Sequence, residues 1–213
     1  MTDILLIRHG ENEYTRKGRL AGWTPSVHLN EKGQAQAKAL AERLASMPIK
    51  VIYSSPLERA METAKPLAEA KSLSIQKMEG VGEVRYGEWT GKSLKALSRT
   101  KLWRVVQRHP SAMEFPQGET LRAVQARAVD ATEAIVRKHP KHLVAVFSHG
   151  DVIKLILAHY LGAPLDMFQR IMINTGSISH IRLLGGMPMV LKMNEQQAVL
   201  DQDARPSATK SKG

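Results

Sequence analysis

The stretch LLIRHGEN, residues 5–12, joins an apolar run to an arginine, a histidine, a glycine and a carboxylate. A second stretch, LVAVFSHGD at residues 143–151, has nearly the same arrangement. Continuous apolar runs of this length, without polar alternation, are typical of parallel strands that are covered on both faces. We therefore predict two buried strands that each end in a histidine-glycine turn.

Helical patterns separate these runs from one another and from a third apolar run at residues 51–53. The predicted elements are strands at 4–7, 51–53 and 144–147, helices that begin at Asn30 and Ser55, helices at 94–107, 119–138 and 152–161, and a hairpin with a Gly-Gly turn within 176–193. The helix from Ser55 is predicted from a capping box with Glu58 and from Pro56 at its first position. This alternation of strands and helices indicates an α/β fold with a mostly parallel sheet.

Length and composition limit the organisation of the chain. It has 213 residues, and a prior of roughly 100–200 residues per domain favours a single domain over residues 1–200. Residues 201–213 are polar without periodicity, so we expect them to form a disordered tail. The sequence contains no run of about 18 apolar residues and no signal-peptide pattern, which predicts a cytoplasmic protein without membrane association. With no cysteine, it has neither disulfides nor thiolate metal sites.

The charge balance favours anionic partners. The formal net charge is +11, with 31 Lys and Arg residues against 20 Asp and Glu residues, which suits phosphorylated metabolites, nucleic acid or an acidic membrane surface. No basic strand with interleaved aromatic residues is found, so a nucleic-acid partner is not expected. The cations concentrate at residues 15–22 and 95–108. Both clusters can be solvated surface, or the second can bind a substrate that carries additional negative charge.

Polar side chains follow all three predicted strands. In open α/β sheets, ligands bind outside the carboxyl ends of the strands, and parallel strands bring those ends to one edge. The residues expected at this edge are Arg8 and His9, then Ser54, Ser55 and Arg59, and finally Ser148 and His149. Two arginines and two histidines are therefore predicted to share one crevice.

The two arginines decide between a metal ion and an anion. Guanidinium groups repel a cation and match the bidentate geometry of phosphate, and the helix starts after Ser55 and at Gly150 add backbone N–H donors. We therefore expect a phosphate site and no metal. A histidine held among cations loses its proton readily and can act as a neutral nucleophile. The glycine after each histidine is expected to leave room for the ligand.

Seven motifs, taken together, identify a family. They are LIRHGEN at 6–12, GWTPSVHLNEKGQAQA at 22–37, YSSPLERAMETA at 53–64, GEVRYGEWTGKS at 82–93, FPQGET at 115–120, FSHGD at 147–151 and INTGSIS at 173–179. In this order they resemble the histidine phosphatase superfamily, which includes cofactor-dependent phosphoglycerate mutase. The resemblance implies a three-layer α/β/α sandwich of the phosphoglycerate mutase-like type, a small phosphorylated substrate and no cofactor.

The resemblance also implies roles for individual residues. His9 would accept the phosphoryl group, and Glu83 would protonate the leaving oxygen and then activate water. The implied phosphate ligands are Arg8, Arg59 and His149, together with Thr15, which stands where the family usually has an asparagine. A threonine at that position leaves a hydroxyl donor but puts the usual substrate selectivity in question. Two tryptophans, Trp23 and Trp89, are expected either to line the pocket or to pack beneath it.

Hydrolysis is the leading interpretation of these motifs, by a metal-independent phosphomonoesterase that works through phosphohistidine. The alternative is a phosphomutase, which returns the phosphoryl group to a hydroxyl. The short stretch between Glu83 and FPQGET and the sequence GEWTGKS both favour hydrolysis, because the glycolytic mutases carry a longer insertion there. A non-catalytic phosphate binder is less favoured, since a pure binder has no use for a nucleophile and an acid together. A nucleic-acid binder ranks last.

Overall fold

The computed structural model describes residues 1–184 and 187–196. The strands are β1 Thr2–Arg8, β2 Ile49–Ser54, β3 Ile75–Lys77, β4 Leu143–Ser148, β5 Ile178–Leu184 and β6 Met187–Glu195. The helices are α1 Glu13–Arg16, α2 Glu31–Leu44, α3 Glu58–Lys71, α4 Leu94–Leu97, α5 Lys101–Arg108, α6 Leu121–Lys138 and α7 Gly150–Tyr160. The strands form one sheet in the order β3-β2-β4-β1-β5-β6.

The sheet is mostly parallel, as the sequence predicts. Strands β3, β2, β4 and β1 run parallel to one another, whereas β5 pairs antiparallel with β1 and β6 pairs antiparallel with β5. The predicted hairpin near the C-terminus consists of β5 and β6. Its Gly185-Gly186 turn and the expected tail at 201–213 lie outside the described residues, and a single domain over residues 1–200 stays a prediction.

Helices cover both faces of the sheet, which confirms the α/β/α sandwich. Ile4 and Leu6 of β1 pack into a cluster with α6 and α7, while Leu5 and Ile7 pack into a second cluster with α2 and α3. All four side chains are at most 2% exposed. The apolar run at residues 4–7 is continuous because successive side chains of a strand point to opposite faces, and here each face is covered.

The register brings the ends of three strands to one level. Arg8 pairs with Ser148, and Ser54 pairs with Phe147, so β4 lies between β1 and β2. Beyond the strands, the backbone N–H of His9 donates to the carbonyl of Ser148 at 3.0 Å. The residues that follow the three strands therefore meet at one edge of the sheet.

The capping box predicted at Ser55 is not formed. The helix begins at Glu58, and Leu57 occupies the N-cap position without a side-chain cap. The hydroxyl of Ser55 lies 2.7 Å from Nε2 of His149 and is therefore engaged across the sheet edge. A tertiary contact thus replaces the local one, and the helix starts two residues later than predicted, at Glu58 in place of Pro56.

The single helix predicted at residues 94–107 is divided into α4 and α5. Thr100 is the N-cap of α5, and its hydroxyl accepts a hydrogen bond from the backbone N–H of Trp103 at 3.3 Å. Ser98 donates its hydroxyl to the carbonyl of Lys95. Serine and threonine compete with helical hydrogen bonding in this way, which interrupts the helix. Among the described residues, no helix is both long and apolar enough to cross a membrane.

Candidate active site

A cavity of about 330 Å³ opens at the carboxyl ends of β1, β2 and β4. Six of the seven residues predicted for the site line this cavity, namely Arg8, His9, Thr15, Arg59, Glu83 and Gly150. The seventh, His149, has no exposed surface and lies beside His9, with ring centroids 5.2 Å apart. The structure therefore brings together residues from five separated segments of the sequence.

His9 is held in one tautomer. Its Nδ1 lies 2.7 Å from the carbonyl oxygen of Gly10, and because a carbonyl only accepts hydrogen bonds, Nδ1 carries the proton of the neutral ring. Burial, together with the charges of Arg59 and Arg8, lowers the pKa of His9 well below its ordinary value. The ring is therefore neutral near pH 7, with a lone pair on Nε2.

Two guanidinium groups are buried with unused hydrogen-bond donors. Arg8 donates through Nη1 to the carbonyl of Ile173 at 2.6 Å, and Arg59 donates through Nη2 to the carbonyl of Gly22 at 2.9 Å. Nε of Arg8, and Nε and Nη1 of Arg59, have no partner in the part of the chain that the structure describes. Buried charged donors without acceptors are costly, so this arrangement favours an anionic ligand.

His149 is oriented by Ser55. Its Nε2 lies 2.7 Å from the hydroxyl oxygen of Ser55, which also accepts a weak hydrogen bond from the backbone N–H of Leu57. The serine hydrogen is then free to be donated to Nε2, which places the ring proton on Nδ1. Burial and the charge of Arg59 hold the pKa of His149 well below its ordinary value. His149 therefore offers a neutral N–H donor next to His9.

Glu83 is a buried carboxyl group with a raised pKa. Burial is the main cause, the charge of Asp151 adds to it, and Arg59, whose Nη2 lies 3.9 Å from Oε2, opposes it. Oε1 accepts a hydrogen bond from the backbone N–H of Val84 at 3.0 Å. A raised pKa keeps a larger fraction of the carboxyl group protonated, which is the state that a general acid needs.

The backbone of Glu83 is fixed by two residues that the sequence analysis did not assign to this purpose. Trp23 donates its indole N–H to the carbonyl of Glu83 at 2.6 Å, and Arg127 donates to the same carbonyl at 3.0 Å. Of the two tryptophans that the sequence left open, Trp89 lines the cavity, whereas Trp23 supports the loop that carries Glu83. Arg127 lies in the interior of α6 and gives no local signal of this role.

Tyr86 and Asp151 complete the polar wall and were also missed. The hydroxyl of Tyr86 donates to Asp151 at 3.0 Å and lies 3.5 Å from Oε1 of Glu83. Burial raises the pKa of Asp151, but Lys154 and Tyr86 outweigh this and hold it below its ordinary value. Glu83 therefore keeps its proton to higher pH than the neighbouring Asp151 does. The only signal in the sequence was the carboxylate that follows His149 and Gly150.

The two glycines that follow the histidines also avoid steric clashes within the protein. A Cβ atom on Gly10 would lie 2.6 Å from the carbonyl oxygen of Gly33, so the clash is with the backbone of the first turn of α2. A Cβ atom on Gly150 would lie 3.1 Å from the guanidinium carbon of Arg8. Gly10 thus permits close chain packing, and Gly150 permits the approach of Arg8.

Three groups could in principle hold a metal ion. One ligand atom each from His9, Glu83 and His149 lie within 4.8 Å of one another. The charges of Arg8 and Arg59 act on the same three groups and lower the pKa of both histidines. These charges repel a cation, so the donor set suits a phosphoryl group better than a metal.

The outer part of the cavity is largely apolar. Its wall includes Leu20, Trp89, Leu94, Trp103, Val106 and Phe115, and the rings of Trp89 and Trp103 are stacked at 6.4 Å. The basic segment at 95–108 contributes Trp103, Val106 and Gln107 to this wall, while its five Lys and Arg side chains are exposed and do not line the cavity. The geometry does not support the expectation that these cations bind the substrate.

Comparison with known proteins identifies relatives of the whole described fold. The family model described as Histidine phosphatase superfamily (branch 1) matches residues 4–196. Phosphoserine phosphatase 1 of Hydrogenobacter thermophilus is 32% identical over 91% of this chain and 92% of its own. Metal-independent phosphoserine phosphatase of Arabidopsis thaliana is 34% identical over 73% of this chain and 67% of its own.

Other relatives carry a different activity in their names or share the fold in a solved structure. Probable phosphoglycerate mutase GpmB of Cronobacter sakazakii is 29% identical over 85% of this chain and 85% of its own. The solved structure of Bacillus stearothermophilus YhfR superimposes with a TM-score of 0.87 at 29% identity, covering 92% of this chain and 98% of that one.

Proposed function

The chain belongs to the histidine phosphatase superfamily, and from this premise we propose a metal-independent phosphomonoesterase in which His9 carries the phosphoryl group. The observation that carries the proposal is the state of His9. Its Nδ1 proton is engaged with Gly10, its pKa is lowered by burial and by two arginines, and its Nε2 lone pair is available. A neutral buried imidazole among guanidinium groups suits nucleophilic attack on a phosphate ester.

In the first step, Nε2 of His9 attacks phosphorus and the bond from phosphorus to the ester oxygen breaks. The proton of Glu83 passes to that oxygen, so the product leaves as an alcohol and Glu83 becomes a carboxylate. Arg8, Arg59 and the Nδ1–H of His149 donate to the phosphoryl oxygens, where negative charge accumulates. The unpartnered donors on these residues support this assignment.

In the second step, a water molecule attacks phosphorus and the bond from phosphorus to Nε2 breaks. The Glu83 carboxylate accepts a proton from this water, which returns both Glu83 and His9 to their starting states. Inorganic phosphate then leaves. Each residue ends the cycle as it began, so the reaction requires no further reactant besides water.

We propose phosphoserine as the first substrate to test. Relatives with the highest identities reported above are named phosphoserine phosphatases. Arg19, Lys154 and Asp151 line the cavity beyond the phosphate ligands, and they supply charges of the signs that the carboxylate and the ammonium group of an amino acid require. Cytoplasmic residence, expected from the sequence, is part of the same proposal, since small phosphorylated metabolites are found there.

Phosphomutase activity is the second candidate, and the relatives named as probable phosphoglycerate mutases support it. A mutase differs only in what attacks the phosphohistidine, a substrate hydroxyl in place of water. It therefore requires a second acceptor to remain in the cavity and releases little inorganic phosphate.

The test is release of inorganic phosphate from phosphoserine, 3-phosphoglycerate and p-nitrophenyl phosphate in excess EDTA. We expect turnover by the wild type that is abolished in His9→Ala. His142→Ala is the matched control, because His142 is exposed at the opposite end of β4. Phosphate transfer between 3-phosphoglycerate molecules without hydrolysis would support the mutase. If no ester is turned over and none forms phosphohistidine on the protein, both assignments are overturned.

A further inference from the structure

Buried nitrogen donors without a partner concentrate around the proposed phosphate site. Within residues 1–184 and 187–196, the buried side-chain nitrogens that lack a hydrogen-bond partner are Nε of Arg8, Nε and Nη1 of Arg59, Nδ1 of His149 and Nδ2 of Asn12. The first three residues are already assigned to the phosphate. Asn12 is not, although it lines the same cavity.

The orientation of the Asn12 carboxamide is fixed by its neighbours. Oδ1 accepts a hydrogen bond from the backbone N–H of Thr15 at 2.9 Å, so Nδ2 must be the opposite atom of the amide. The backbone N–H of Asn12 donates to the hydroxyl of Thr15 at 3.0 Å, and the residue has no exposed surface. The side chain is thus held in place before any ligand binds.

The hydroxyl of Thr15 is already engaged. It donates to the carbonyl of Asn12 at 2.9 Å and accepts from the N–H of the same residue. The Thr15 hydroxyl could donate to a phosphate only if its hydrogen bond to the carbonyl of Asn12 were broken. The amide of Asn12, in contrast, carries two hydrogens on Nδ2 for which the described residues provide no acceptor.

We propose that Asn12 donates Nδ2–H to a phosphoryl oxygen, and that Thr15 holds Asn12 in position for this contact. A phosphate oxygen would satisfy the amide in the same way that it satisfies the unpartnered donors of Arg8 and Arg59. The inference rests on the proposed function, since it assigns a further ligand within the same site. It makes Asn12, three residues after His9, a substrate-binding residue.

The experiment is calorimetric titration of the full-length protein with inorganic phosphate. In Asn12→Ser, the serine oxygen can still cap α1, but the Nδ2 donors are lost. We expect phosphate affinity to fall about 10-fold or more, because hydrogen bonds to charged groups are among the stronger ones. Asn12→Asp keeps the shape and the capping oxygen but places a carboxylate against the anion, and we expect a larger loss.

The matched control is Asn30→Ser. Asn30 is also an N-cap asparagine, its Oδ1 accepts from the N–H of Gly33, and its Nδ2 donates to Glu11 outside the cavity. We expect the control to bind phosphate within about two-fold of the wild type, since the serine oxygen can still cap α2 and the hydrogen bond lost to Glu11 lies outside the cavity. The same comparison applied to the KM for phosphoserine is expected to give the same order of variants.

The outcomes separate this inference from the proposed function. The inference would be overturned if Asn12→Ser bound phosphate with wild-type affinity, or if Asn30→Ser lost as much phosphate affinity as Asn12→Ser. If Asn12→Ser does not fold, Asn12→Asp decides, and unchanged affinity in that variant would also overturn the inference. Failure of the wild type to bind phosphate or to hydrolyse any ester would instead reject the proposed function.

Discussion

The Nδ1 atom of His149 lies 3.6 Å from the Oε2 atom of Glu83, and both side chains are buried. Burial favours the neutral form of each group. It holds the pKa of His149 well below its ordinary value and raises the pKa of Glu83. The pair therefore consists of a neutral imidazole and a carboxyl group that keeps its proton to higher pH than an ordinary glutamate does, and this proton can be transferred to a leaving oxygen.

Glu83→Gln removes this proton while keeping the shape of the side chain. We expect kcat/KM for an alkyl phosphate such as phosphoserine to fall by about 100- to 10,000-fold, the usual contribution of general acid catalysis. The loss with p-nitrophenyl phosphate should be smaller, because nitrophenolate leaves without protonation. Initial rates with both esters test this. Glu88→Gln is the control, since Glu88 is exposed nearby, and equal losses with the two esters would contradict the assignment.

The pH dependence of kcat/KM follows from two groups. Glu83 must be protonated in the first step, so activity should fall as pH rises through its raised pKa. His9 must be neutral, so activity should fall on the acid side only below its lowered pKa, well under the ordinary value for histidine. The profile should be bell-shaped, and the alkaline limb should disappear in Glu83→Gln. A profile with an acid limb at the ordinary histidine pKa would contradict the neutral state proposed for His9.

Stability should also depend on pH, because His9 and His149 are both buried with lowered pKa values. Below the ordinary histidine pKa, the unfolded chain binds protons that the folded chain does not. The free energy of unfolding should therefore decrease as pH falls below about 6.5, by up to about 1.4 kcal/mol per pH unit for each ring. Urea titrations at several pH values measure this. His9→Asn should reduce the slope of the free energy of unfolding against pH. An unchanged slope would show that His9 does not contribute to this pH dependence.

The sequence predicts the location of the site better than its supporting contacts. The strands that end at Arg8 and Ser148 are signalled by local apolar runs, and parallel pairing then places His9 next to His149. The hydroxyl of Ser55 fits a local capping pattern, but its partner in the structure is 94 residues away. Such long-range contacts produce no periodic pattern in the sequence. A prediction from neighbouring residues therefore assigns Ser55 to a helix cap and not to His149.

Other departures from prediction have similar causes. The interruption between α4 and α5 had a local signal, since Thr100 is a good N-cap, but the continuing helical pattern concealed it. The role of Asn12 depends on which atoms remain unpartnered after folding. Motif spacing cannot report this, because it identifies positions and not the hydrogen bonds that their side chains have already made.

Arg127 holds the loop that carries Glu83, and replacing it tests whether this support matters for activity. Its guanidinium donates to the carbonyls of Gly80, Gly82 and Glu83 and to both oxygens of Glu119, at 2.7 to 3.0 Å. We expect Arg127→Met to lower the free energy of unfolding by about 2–4 kcal/mol, because several partly buried acceptors lose their donor. It should also lower kcat for phosphoserine more than for p-nitrophenyl phosphate, since Glu83 is displaced.

The control for Arg127 lies on the same helix. Arg122 donates through Nε to the carbonyl of Ser111 on the exposed face of α6. Arg122→Met should change both kcat and the free energy of unfolding only slightly, by about 0.5 kcal/mol for the latter. Loss of stability in Arg127→Met without any difference between the two esters would assign Arg127 a purely structural role.

Substrate binding at the outer cavity should depend on Trp103 and not on the basic residues beside it. Trp103 lines the cavity and stacks on Trp89, whereas Lys101 and Arg104 on the same helix are exposed and do not line it. We expect Trp103→Ala to raise KM by about 10-fold, a scale typical of removing an aromatic contact from a binding site. Lys101→Glu combined with Arg104→Glu should leave KM unchanged for singly and multiply charged esters at physiological salt, because exposed charges are screened. An increase in KM confined to polyanionic esters in the double variant would assign substrate binding to Lys101 and Arg104, and KM values measured with both classes of ester test this.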